Sequence, residues 1–68
     1  MMVKVTDGMG NDEEVEIDAA KITGKELLKK LDITVFEAII EKNNQIVSEN
    51  EILTNADRVK VLNMIHGG

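Results

Sequence analysis

The sequence predicts an α+β domain, a mixed sheet of four to five strands with one helix packed on one of its faces. Three observations predict it. Period-two alternation of apolar and polar residues recurs near both ends of the chain, in "MVKVT", "EEVEID" and "RVKVLNMI". One stretch, "ITGKELLKKL", changes to helical spacing and opens with a helix-start signature. Finally, 68 residues without cysteine leave room for one small hydrophobic core and no staples, close to the lower size at which such a core holds a fold unaided.

"MVKVT" and "EEVEID" flank "DGMGND", whose Gly, Asn and Asp are turn formers, so the two runs form a hairpin. Val3 and Val5 share a face with Val15 and Ile17, while Lys4, Thr6, Glu14, Glu16 and Asp18 take the other. The helix is predicted to begin at Thr23. Thr23 and Glu26 stand at the capping-box spacing, and Ile22 with Leu27 at that of a hydrophobic staple. Leu27, Leu28 and Leu31 form its apolar stripe, and Glu26 and Lys30 an i,i+4 pair. So short a helix is stable only when docked on the sheet.

"TVFEAIIEK" is β-branched and apolar, and "NN" before "QIV" reads as a tight turn into a short return strand. The alternation places Phe36, Ala38 and Ile40 in the core, with Val35, Glu37, Ile39 and Glu41 opposite. "SENEILTNAD" is turn-rich, with one helical turn around Glu51 to Leu53. In the last strand Val59 and Val61 face inward, leaving Lys60, Leu62 and Met64 outside. The expected core is thus Val3, Val5, Val15, Ile17, Leu27, Leu31, Phe36, Ile40, Val59 and Val61, in a domain over residues 1–65 followed by a flexible tail, 66–68.

Composition excludes several function classes. With no cysteine there are no thiolate metal sites, iron–sulfur clusters or thiol nucleophiles. Thirteen acidic residues against eight basic ones, with a single aromatic, give no nucleic-acid surface and favour partners with basic faces. The longest apolar run, Ala38 to Ile40, is too short to span a membrane, and no signal peptide opens the chain, so a soluble cytoplasmic protein is expected. "GMGND" lacks the glycines, lysine and following helix of a phosphate loop, and "NDEE" lacks calcium-loop spacing. His66 has no second histidine or cysteine with which to bind metal or form a base dyad. No constellation of nucleophile, base and orienting group exists, so the chain reads as neither an enzyme nor a cofactor binder.

The order of elements, together with "EKNNQIVSENEILTNADRVKVLNMIHGG", resembles the β-grasp fold of ubiquitin-like proteins, and within it the small sulfur carriers of thiamin and molybdopterin biosynthesis and the small modifiers of archaea. The matching positions are the turn Asn43-Asn44, the short strand Ile46-Val47, the turn Ala56-Asp57 and the terminal Gly67-Gly68. The resemblance implies that an ATP-dependent adenylyltransferase activates Gly68 and that sulfur attack then makes a thiocarboxylate. A sulfurtransferase and a sulfur-accepting synthase would be the further partners. The alternative it leaves open is a modifier joined through Gly68 to lysines of target proteins. Gly67 and His66 would thread a narrow channel, where glycine's conformational range is an advantage. With Gly68 as the terminal residue given, no processing protease is expected. Leu62, Met64, Val35 and Ile39 would form an apolar patch beside the tail, comparable to the surface by which the family docks on activating enzymes. The competing readings are a frayed terminus for Gly67-Gly68, scattered surface hydrophobics for the patch, and simple solubility for the acidic Glu14, Glu16, Asp18, Glu37 and Glu41.

Overall fold

A computed structural model describes residues 1–64. Strands β1 (Met2–Thr6) and β2 (Asp12–Glu16) form the first hairpin, with Val3 opposite Val15. Asp7 organises its turn: one carboxylate oxygen accepts the N–H groups of Met9 and Asn11, and Gly10 takes φ 86°, a value that a side chain disfavours. β3 (Lys21–Thr23) leads into helix α1 (Gly24–Leu31). A 3-10 turn (Val35–Glu37) then precedes β4 (Ala38–Lys42), β5 (Gln45–Val47), β6 (Ile52–Thr54) and β7 (Val59–Asn63).

Five strands make one mixed sheet in the order β2-β1-β7-β4-β5, and β3 and β6 make a separate antiparallel pair. β7 lies at the centre, parallel to β1 and antiparallel to β4. Helix α1 covers one face of the sheet. Its Leu27 and Leu28 are buried with Val3, Ile40, Val59 and Val61 of the sheet, and with Ile17, Ile22 and Leu53. Val5, Val15 and Leu31 pack around that cluster, as their alternation and spacing require.

The helix start follows the sequence closely. Thr23 accepts the Glu26 N–H through its hydroxyl, and the Glu26 carboxylate returns to the Thr23 N–H at 3.0 Å. That carboxylate turns back onto Thr23, whose bonds lower its pKa most, and the charges of Lys29 and Lys30 lower it further, so the i,i+4 attraction acts beside the box. The two preceding orphan donors are satisfied as well, Gly24 N–H by the Glu51 carbonyl and Lys25 N–H by that of Glu49. At the far end Asp32 takes the left-handed conformation, φ 60°, and donates back to Leu28 and Lys29.

Three expectations are corrected. Phe36 is 95% exposed and no part of the core, because the chain is still in the 3-10 turn there and the strand's alternation starts only at Ala38. Val35, expected outside, packs against the core instead. Residues Glu51 to Leu53 form no helical turn; Ile52–Thr54 is a strand paired with Lys21–Thr23, and this pairing buries Leu53 completely.

Candidate functional site

The candidate site is the C-terminal end of β7 and the sheet face opposite the helix. Flanking β1 and β4 fix the register of β7, setting Leu62 beside Thr6 on one side and Ile39 on the other. All three half-buried side chains therefore share the helix-free face. Beyond the last paired residue, the Met64 N–H donates to the Glu37 carbonyl at 2.6 Å, tying the end of β7 to the 3-10 turn. The Met64 side chain is 58% exposed. Ile39, Leu62 and Met64 are thus gathered at one end of the sheet, whereas Val35 packs against the core. His66, Gly67 and Gly68, and with them the expected boundary after residue 65, lie outside the described residues.

Charge on this face is banded. Across the middle run Glu14, Lys4, Lys60 and Glu41 in register on successive strands. The acidic Asp12, Glu14 and Glu16 line the outer strand β2, where Lys4 approaches Asp12 at 4.0 Å. Such charges keep a bare strand edge from pairing with other chains.

The turns that frame the site are cross-braced. Asn43 and Asn44 have φ 53° and 70°, the conformation of a two-residue hairpin turn. Asn43 also reaches sideways to the entry of β7. Its amide donates to Asp57 at 3.1 Å, its side-chain oxygen accepts the Arg58 N–H at 2.9 Å, and its own N–H donates to the Arg58 carbonyl. Asp57 in turn accepts the Thr54 N–H and hydroxyl. The Thr54 N–H, followed by the Asn43 amide, holds the Asp57 carboxyl below its usual range. Lys42 sits between the two turns, donating to Glu51 and to the Ile52 carbonyl at 3.0 Å each, and the bond to Glu51 raises its pKa. The paired turns were recognisable from their residues; the brace was not, since Asn43 and Asp57 are distant in sequence and neither belongs to a periodic pattern.

Among the described residues no group of three or more His, Asp or Glu is arranged to hold a metal, and no helix is long and apolar enough to cross a membrane. A mixed sheet with a parallel central pair, closed around a single helix, is the β-grasp arrangement of ubiquitin-like proteins. The profile of the ThiS family matches residues 4–68, nearly the whole chain, and the chain belongs to that family, as a β-grasp sulfur carrier. The crystal structure of the thiamine biosynthesis protein ThiS from Geobacter metallireducens has the same fold, with a TM-score of 0.59 over 96% of this chain and 99% of that one, at 20% identity. No curated protein sequence matches.

Proposed function

We propose that Gly68 is the working residue of this carrier, the end of a tail formed by residues 66–68 that follows the folded domain. An α-carboxylate is ionised at neutral pH and is a poor electrophile until activated. A partner adenylyltransferase supplies the activation: a Gly68 carboxylate oxygen attacks the α-phosphorus of ATP, pyrophosphate leaves, and an acyl-adenylate results. The terminal sulfur of a sulfurtransferase persulfide then displaces AMP to give an acyl disulfide. A second thiol on the partner cleaves its S–S bond, leaving a disulfide on the partner and a thiocarboxylate on Gly68 from which a synthase takes the sulfur. The chain is the substrate of this chemistry rather than its catalyst, and it works in the cytoplasm beside its ATP-dependent partner. Ile39, Leu62 and Met64 form the apolar surface on which that partner docks.

The observation that carries this reading is the extent of the family match. It runs through residue 68 and so takes in both glycines. Intact mass spectrometry of the protein from its native host tests it. The expected product is heavier by about 16 Da, with fragmentation placing the change at Gly68 and not on a methionine as sulfoxide. A chain lacking Gly67 and Gly68 is expected to melt like the full chain and to drive no ATP–pyrophosphate exchange by the adenylating enzyme. Continued exchange by the shortened chain overturns the proposal, and a Gly-Gly remnant on lysines of other proteins, traced to this chain, would replace it with conjugation.

A further inference from the structure

Phe36 is the only aromatic residue of the chain, and it stands 95% exposed. A phenylalanine ordinarily supplies a large share of a small core, burying roughly 150–250 Å². Here the fold makes no use of it. The backbone that carries it is nevertheless anchored: Glu37 N–H donates to the Thr34 carbonyl at 3.1 Å, and both neighbouring apolar residues, Val35 and Ala38, pack against the core. Its sequence neighbour Glu37 accepts the Met64 N–H at the end of β7. An exposed ring is therefore displayed on a braced turn, one residue from the backbone that holds the root of the tail.

From Met64 the four residues 65–68 span at most about 14 Å even when fully extended. Any enzyme that acts on the Gly68 carboxyl must bring its channel within that distance of Met64. Phe36, one residue from the Glu37 carbonyl that holds Met64, stands within that same distance. We infer that Phe36 is the aromatic anchor by which the adenylating enzyme grips this chain, seated in an apolar pocket at the mouth of the channel that receives the tail. The inference rests on the reading of Gly68 given above and extends the docking surface from the sheet face around to the 3-10 turn. Aromatic side chains buried at the centre of an interface supply a disproportionate share of binding energy. A ring that contributes nothing to the core can be removed without loss of the fold, which separates binding from stability.

The test measures ATP–pyrophosphate exchange by the host's adenylating enzyme, purified by its dependence on this chain. Phe36→Ala is expected to raise the half-saturating concentration about tenfold or more while leaving the maximal rate and the melting temperature unchanged. Phe36→Leu should recover part of the loss. Ile52→Ala, which removes another exposed apolar side chain on β6, in the separate β3-β6 pair, should match the wild type. If the wild-type chain drives exchange and Phe36→Ala has the same half-saturation, the anchor is overturned and the Gly68 reading stands. If the wild-type chain drives no exchange, both fall. A loss of dimer on sedimentation of Phe36→Ala, with exchange unchanged, would instead assign the ring to a second copy of this chain.

Discussion

Asn43 serves two ends with one residue: its left-handed backbone turns the β4–β5 hairpin, and its side chain fastens that hairpin to Asp57 and Arg58. The fastening depends on pH through Asp57, whose folded pKa is depressed by the Thr54 N–H and then by the Asn43 amide. A depressed carboxyl stabilises the fold above its unfolded pKa, and that contribution is lost as pH falls through the folded value. Asp57→Ala is therefore expected to lower the melting temperature at neutral pH, with the gap from wild type closing below about pH 4. Melting curves across that range check it, and a gap independent of pH would assign the loss to packing. At this scale the sequence was informative about backbone and silent about side-chain partners. The Asn pair announced a turn because few other residues accept φ > 0, while nothing in the spacing linked it to an aspartate across the fold.

Helix α1 is the element in which local signals and tertiary demands agree, and its capping box and apolar stripe were legible for that reason. Its first residue shows a demand the sequence did not reveal. A Cβ added to Gly24 would lie 2.7 Å from the Ile40 Cδ1 and 3.1 Å from both the Cα and the carbonyl oxygen of Glu49. Helix propensity favours Ala over Gly by up to about 1 kcal/mol, yet the Glu49 backbone is held by its bond to the Lys25 N–H and cannot easily yield. Overpacking costs roughly 1–3 kcal/mol. Gly24→Ala should thus be destabilising, by about 1–2 kcal/mol in urea denaturation, and a gain in stability would show that the loop moves away. The elements the sequence missed are short. Three-residue strands such as Lys21–Thr23 and Ile52–Thr54 are too brief to establish a period. The 3-10 turn advances about 120° per residue against the strand's 180°, so alternation extended backward from Ala38 misplaces both Phe36 and Val35.

In the whole molecule β7 is the keystone. Val3 and Val59, 56 positions apart, are paired across the parallel centre of the sheet, and β4 closes on the other side of the same strand. Remove β7 and the sheet order β2-β1-β7-β4-β5 falls into two hairpins with no strand between them. A chain ending at residue 58 is accordingly expected to remain unfolded, without a cooperative melting transition by circular dichroism; a sharp transition in that fragment would deny β7 this role. The position of β7 also bears on synthesis. A ribosome makes the middle strand of this sheet after its other four strands, so the two hairpins lack the strand that joins them until β7 emerges. A translation product interrupted before β7 then lacks a closed sheet. With the keystone strand last among the described elements, closure of the sheet is the last step by which this fold forms as the chain emerges.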